Sequence, residues 1–461
     1  MTNKQGGHCE VASNKASNKR SHVAAVSPLR LRGAAISALL LLTATLHAAE
    51  PDYHARRMHL AEKLKGGISV LFAASEPRSM LEAYRQDSDF FYLTGWNEPG
   101  AALFIQSAKE AEDKVPARKY REILFLPARN LRTEQFTGVK LDAATPNAPA
   151  LAHVDEVRPM TELSSMLAQL ASDDRSVLYR IASQPDSPAA QALVMWVATT
   201  LGSDNRPPLA DASSHIAELR AIKDPIEIEL LSHAAKVSAI AQQALRKAVD
   251  AGATERAVAG VFTESIMKQG CARPSYPPII GSGANSTVLH YEADTGTMQA
   301  GDVVVIDAAA ECSMYASDIT RTLPVSGKFT ARQQEIYNIV RGAQQAAIDA
   351  FLAGTSRIND PRHKYPDSLD TIAFNYMNAH GKDLHGEPIG KYFIHGIGHS
   401  VGIDVHDPYD YTKPIQKGMV FTIEPGIYIP EEKIGIRIED TFYVTPEGKL
   451  VSLTGSDTSL P

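Results

Sequence analysis

The chain has 461 residues, 44% hydrophobic and 21% charged, an ordinary globular composition and long enough for two domains with their own cores. Its formal charge of -7 is unevenly spread: six of the 46 basic residues and one of the 53 acidic ones fall in residues 1–49, leaving -12 on the remainder. Phosphates repel a body of that sign, which excludes nucleic acid and anionic lipid as natural partners.

The N-terminus carries a targeting pattern. Arg30 and Arg32 precede the apolar run Gly33–Leu46, too short to cross a bilayer comfortably, and Ala48-Ala49 follows. This reads as a signal peptide over residues 1–49, with a periplasmic or secreted mature protein and no stable membrane insertion after cleavage. The basic region is long, and His47 or Leu46 sits where a cleavage site prefers a small residue, so an uncleaved membrane anchor is the alternative. Cys9 would leave with the signal, while Cys271 and Cys312 are open either to pairing or to staying buried thiols.

Residues 50–210 read as a smaller α/β domain. Gly67–Phe72, Ala101–Ile105 and Glu122–Leu126 are short apolar runs bounded by Gly, Pro and charge, the pattern of strands. Between them, Arg85-Gln-Asp-Ser-Asp-Phe-Phe-Tyr-Leu-Thr-Gly-Trp-Asn-Glu-Pro99 fits either a strand with a capped entry or a substrate-facing loop. The turn-rich stretch Gly202–Pro208 marks the boundary, and residues 211–461 form the second domain. There Asp224-Pro225-Ile-Glu227 starts a helix, with Asp as cap, Pro at the first position and Glu three residues after the cap. Further helices are expected over Thr254–Lys268, Thr330–Leu352 and Pro366–Gly381, and strands over Asp302–Asp307, Val420–Glu424 and Ile436–Val444.

The chemistry gathers at the ends of these strands. Asp307 closes the buried run Val303–Ile306, and Asp318, eleven residues later, comes beside it if the intervening segment folds back as a hairpin. A lone Asp there is more often a turn former. Glu424 ends another apolar run before Pro425-Gly426, and Arg437 and Glu439 alternate with Ile436 and Ile438, so in a strand they share a face. Clustered carboxylates oppose one another's ionisation and need raised pKa values or cations among them. Two divalent ions match Asp307, Asp318, Glu424 and Glu439 one for one, with His399 completing an oxygen-rich set that suits manganese and similar harder ions. Two ions about 3.5–4 Å apart turn a water held between them into a hydroxide that attacks a polarised carbonyl. His-Glu-x-x-His and Cys-x-x-Cys are absent, and Gly396, Gly398 and Gly402 miss the dinucleotide spacing, which leaves nicotinamide chemistry without support.

Gly281–Asn285 with Leu289-His290-Tyr291, Asp307, Asp318–Thr322, His395–His406, Glu424-Pro-Gly426 and Arg437-Ile-Glu439 resemble, in order and spacing over residues 217–445, the pita-bread metallopeptidases of the Xaa-Pro aminopeptidase (aminopeptidase P) family. Arg85–Pro99 resembles the creatinase-like N-terminal domain of the same family, so the likeness covers nearly the whole mature chain. The resemblance implies an α/β (α+β) protein, a smaller α/β N-terminal domain followed by a pita-bread catalytic domain, that removes the residue before proline from peptides with the help of two divalent ions, Mn2+ foremost. It implies that Asp307 chelates one ion, that Asp318 and Glu439 bridge both, and that His399 and Glu424 hold the other. Glu424 would also carry the proton to the leaving nitrogen, His395 and His406 would contact the substrate, His290 would line the proline-side pocket, and Arg437 would anchor the carboxylates from behind. A homo-oligomer, dimer or tetramer, is expected. A prolidase-like dipeptidase shares every ligand and is the alternative; an inactive binding protein on this fold, or a metal-free creatinase-like hydrolase, would lack the carboxylate set. Two departures stand out: Asp307-Ala-Ala309, where the family often has Gly in the second position after the Asp, and Ser356–Pro366, which has no clear counterpart.

Overall fold

Three apolar runs build the centre of the N-terminal sheet: β1 (Ile68–Phe72), β2 (Ala102–Gln106) and β3 (Arg121–Leu126) pair antiparallel in sequence. β4 (Val157–Pro159), β5 (Leu178–Arg180) and β6 (Leu209–Asp211) add in parallel at the edges, giving the order β4-β3-β2-β1-β5-β6. Alternate residues of the central strands face opposite ways. Leu71, Leu103 and Leu124 pack with Leu60 and Leu64 of the helix Tyr53–Leu64, whereas Val70, Phe104 and Ile123 pack with Leu163 and Leu167 of the helix Leu163–Asp173. Because both faces are covered, the strands are apolar throughout rather than alternating.

The computed structural model describes residues 50–455 apart from 78–82, 112–116, 174–177, most of 181–208 and 361–364; the expected signal peptide and the expected boundary at Gly202–Pro208 lie outside the described residues. Among the described residues no helix is long and apolar enough to cross a membrane.

Arg85–Pro99 forms neither a strand nor a substrate loop. Its centre is a short helix, Ser88–Thr94, whose cap Asp87 accepts from the Phe90 amide and whose end is Gly95 at φ 66°, a left-handed conformation suited to glycine. Phe-Phe-Tyr favours strand locally, but complete burial of Phe90 and Leu93 against the first helix and sheet outweighs that preference.

The second domain is built twice over from a pair of helices and a set of strands. Helices Pro225–Ala248 and Glu255–Lys268 cover β8 (Ile279–Ser282), β9 (Val303–Asp307) and β11 (Thr320–Pro324), antiparallel in the order β11-β9-β8, with the short β7 (Arg273–Pro274) and β10 (Ala310–Glu311) paired beside them. Helices Ala331–Ala350 and Leu369–His380 cover β12 (Val420–Ile423), β13 (Gly426–Ile429), β14 (Ile434–Arg437), β15 (Asp440–Val444) and β16 (Leu450–Ser452). The expected capping box at Asp224 and Glu227 is present, and Thr330 with Gln333 makes a second one. The last helix starts at Leu369 rather than Pro366. The run Ile436–Val444 is two strands, because the Ile438 amide turns to Pro425 O and the Glu439 amide to Thr320 O, so the chain leaves β13 for β12. Cys271 and Cys312 form a disulfide, Cα atoms 4.7 Å apart, which ties the end of helix Glu255–Lys268 to the hairpin after β9. One apolar core runs from Leu60 and Phe90 to Tyr315, Val401 and Val420, so the described residues of the first and second domains share an interior.

Candidate metal centre and active site

Asp307 and Glu424 reach the site by the same device, a buried strand whose residues are mostly apolar and whose end carries the carboxylate, while Asp318 and Glu439 sit just before β11 and β15. In β9, Val304 and Ile306 face the helices and Asp307 the opposite side. β11 returns antiparallel with Thr320 opposite Asp307, which sets Asp318 beside it. The expected hairpin is therefore the observed one. Ala308 and Ala309 are fully buried and neither takes a left-handed backbone, so the turn has no need of the glycine common in the family.

The imidazole arrives on a segment that runs as a ladder along β12: Val401 N donates to Val420 O, Thr422 N to His399 O and Glu424 N to Ile397 O. A Cβ at Gly398 would overlap the Thr422 carbonyl, so the glycine lets this segment close on the strand. His399 Nε2 lies 3.3 Å from both Asp318 Oδ2 and Glu424 Oε1. One ligand atom each from Asp318, His399 and Glu439 falls within 4.8 Å of the others.

All five expected ligands, with His290, His395, His406 and Arg437, line one cavity of about 480 Å³. Behind them stands a second layer. Tyr276 OH is 2.5 Å from both Asp307 Oδ1 and Asp318 Oδ1, Arg437 Nη2 donates to Asp307 Oδ2 at 2.6 Å, and Thr320 Oγ1 donates to Glu439 Oε2 at 2.6 Å. A hydrogen-bonded chain runs on from Arg437 Nη1 to Tyr428 OH at 2.8 Å and from Tyr428 OH to His395 Nε2 at 2.9 Å, while His395 Nδ1 donates to Gly396 O. The His406 ring stacks on His399 with centroids 3.8 Å apart.

The electrostatics show a site with too much negative charge for its own cations. Burial and neighbouring carboxylates push Glu439 well above the usual range, push Glu424 up to about 7 and raise Asp307 despite Arg437. Burial opposes a charge on His399, but Asp318 and Glu424 outweigh it and push the imidazole up to about 9. Burial and Arg437 hold His395 down to about 3; burial and His399 hold His406 down to about 4. Glu439 Oε1 is buried with no protein donor among the described residues. The Tyr276 phenol has one proton and can donate to only one of its two carboxylates. An unclaimed acceptor and a doubly required proton are what a carboxylate cluster shows when its charge is meant to be met by cations, and the donor set of four carboxylates and one imidazole fits divalent ions.

The comparisons agree with that chemistry. Residues 229–446 match metallopeptidase family M24, and residues 53–179 match the aminopeptidase P N-terminal domain. Xaa-Pro aminopeptidase of Escherichia coli (strain K12) is 32% identical over 434 residues, 89% of this chain and 96% of the relative. The chain belongs to the aminopeptidase P family. Among solved structures, proline aminopeptidase P II from Yersinia pestis superposes with a TM-score of 0.76 at 32% identity, covering 88% of this chain and 96% of that one. Aminopeptidase P from E. coli with the inhibitor Pro-Leu gives 0.75 at 32% identity, covering 88% and 94%.

Of the supports behind the cluster, sequence reasoning found Arg437 and missed the others. Tyr428 sits in an apolar run where a tyrosine reads as core and Tyr276 in the turn-like Ser275-Tyr-Pro277; a hydroxyl aimed at the carboxylates leaves no periodic signal. Two buried glutamines were also missed. Gln242 Nε2 donates to Ala308 O and Ile319 O, the carbonyls just after Asp307 and Asp318, and Gln344 Nε2 donates to Ile423 O and, at 3.5 Å, Ile438 O, the carbonyls just before Glu424 and Glu439. Glu255 accepts from Ser282, Asn285, Tyr291 and the Gly296 amide and so pins the loop that carries His290.

Proposed function

We infer that the protein is an Xaa-Pro aminopeptidase, a metallopeptidase that releases the N-terminal residue of peptides with proline in the second position. The observation that carries this is one cavity in which four carboxylates, His399 and three further histidines converge, in a chain whose residues 53–179 and 229–446 match the two domains of the family. Proline's imide nitrogen cannot donate a hydrogen bond and its ring fixes the backbone, so the site needs an apolar wall, polarisation of the carbonyl and a proton for a basic leaving nitrogen. Asp307, Asp318, His399, Glu424 and Glu439 would hold the divalent ions, which when bound would supply a Lewis acid and a nucleophile from water. The oxygen-rich donor set without a thiolate supports manganese as the native ion.

Glu424, at the end of the β12 run and beside His399, takes a proton from the attacking water and returns it to the proline nitrogen. His406, held neutral beside His399, offers an N–H to the developing oxyanion. His395 spends one nitrogen on Gly396 O and accepts from Tyr428 with the other, which fixes its ring against the substrate. His290 stands with Leu289, Pro277 and Ile279 on the wall where the ring of proline packs. Arg437 holds Asp307 from behind.

Peptides of three or more residues are the preferred substrates in this reading, supported by the family resemblance of Arg85–Pro99 to the aminopeptidase rather than the dipeptidase form. Export is supported by the Arg-then-apolar N-terminus and by the Cys271–Cys312 disulfide, which persists in oxidising compartments. A homo-oligomer, dimer or tetramer, is supported by the exposed apolar side chains Leu131, Phe136 and Val139 on one surface segment. The assay of the reading compares release of free alanine from Ala-Pro-Ala, Ala-Pro and Ala-Ala-Ala. Fast cleavage of the first is expected; a strong preference for Ala-Pro assigns a dipeptidase, and cleavage of Ala-Ala-Ala at an equal rate removes proline specificity altogether.

A further inference from the structure

His406 stands on a tight turn, Gly402–Asp407, whose position is set by a part of the molecule that never touches the cavity. Asp407 is buried, accepts from Arg220 Nη2 at 2.5 Å and Lys223 Nζ at 2.8 Å, and receives the Asp404 amide at 3.2 Å. The same Arg220 reaches Asp404 Oδ2 at 2.7 Å and, with its other nitrogen, Asp89 Oδ1 at 2.6 Å on the short helix of the N-terminal domain. Two more groups of that helix entry act on the turn directly. Ser88 Oγ donates to Asp404 Oδ1 at 2.6 Å, and Arg85 Nη2 donates to the backbone carbonyl of Ile403 at 2.9 Å. Arg85 Nε also reaches Glu311 at 3.1 Å, in the hairpin between Asp307 and Asp318, and the Ala316 amide of that hairpin donates to Gly402 O.

These contacts are buried or half-buried and charge-assisted, the kind that fix geometry rather than decorate a surface. A carbonyl, a carboxylate and a guanidinium are gripped at once, which leaves the turn little freedom to rotate His406 away from the His399 ring. We propose that Arg85, Ser88 and Asp89 of the N-terminal domain are positioning residues for catalysis: working through Arg220, Asp404 and Asp407, they hold the 402–407 turn so that His406 faces the scissile bond. The N-terminal domain is then a working part of the catalytic apparatus and more than a cover over it.

The inference rests on the role given to His406 above, so its test separates the two. Turnover of Ala-Pro-Ala is measured for wild type, Arg85→Gln, His406→Ala and the double variant, with metal content and melting temperature recorded for each. Arg85→Gln is expected to lower kcat about tenfold in the wild-type background with metal content unchanged, and by less than about twofold once His406 is already alanine. An equal loss in both backgrounds overturns the proposal and marks the network as structural only, whereas a His406→Ala enzyme as active as wild type overturns the reading of His406 instead. Where Arg85→Gln fails to fold, Ser88→Ala, which removes one hydroxyl, completes the same cycle. A crystal structure of either variant gives a readout free of turnover: the turn 402–407 displaced with the five ligands in place is expected, and an unmoved turn contradicts the proposal.

Discussion

In the proposed mechanism, Glu424 is the residue on which ligand chemistry and proton chemistry meet. It ends β12, accepts from Thr422 Oγ1 at 3.2 Å, and is balanced near neutrality by burial, His399 and Asp318. Glu424→Gln keeps the shape and removes the titration, so kcat is expected to fall about 10²–10⁴-fold with secondary structure unchanged by circular dichroism; a loss under threefold removes the proton-carrying role. The raised carboxylates also make a statement about the metal-free protein. Acids whose folded pKa lies above the unfolded value bind more protons when folded, so the stability they contribute is present below about 4.5 and is lost as pH rises through the folded pKa, about 7 for Glu424. His399, with its folded value near 9, acts in the same sense at higher pH. The melting temperature of chelated protein is therefore expected to fall between pH 5 and pH 8, and divalent ion to restore it. A metal-free melting temperature that rises over that window contradicts the charge assignment.

At the scale of elements, the two halves of the second domain use one plan: a long helix sends a glutamine to the carbonyls beside a pair of ligands. Gln242→Leu strips the donor from the Asp307–Asp318 hairpin and Gln344→Leu from the Glu424–Glu439 strands. Each is expected to weaken metal binding about 10–100-fold by calorimetry on the chelated protein, the usual cost of losing an outer support of a ligand; wild-type affinity in both variants contradicts it. The elements themselves were legible in sequence wherever a local rule decides them. Asp224-Pro225 and Thr330 announce helix starts through capping, and Val303–Ile306 announces a buried strand through its unbroken apolar run. The entry of Arg85–Pro99 was not legible, since Phe-Phe-Tyr favours strand and only burial against a distant helix makes it helical. The break between Arg437 and Asp440 was hidden for a related reason: it depends on Thr320 and Pro425, whose carbonyls take the two amides. Of the candidate ligands, Asp307 and Glu424 could be read because each ends an apolar run and His399 because it sits among glycines, while Asp318 was read only through its spacing from Asp307. Arg437 apart, their supports could not, because Gln242 meets Ala308 across 66 positions of chain and Gln344 meets Ile423 across 79.

For the whole molecule, the N-terminal pattern and the disulfide belong to one account, in which the chain matures outside the reducing cytoplasm. Mass spectrometry of the native protein is expected to find a mature end near Glu50 in the periplasm or medium with Cys271 and Cys312 joined; an intact N-terminus in the cytosol contradicts export. The central claim, that the buried carboxylates are a divalent metal centre serving proline peptides, has its own measurement. Exhaustively chelated protein is titrated with Mn2+ while free alanine released from Ala-Pro-Ala is recorded at each addition. The account predicts no release at zero metal and a rise that levels off at about two ions per chain; full activity in the chelated protein, with no metal by elemental analysis, would contradict it.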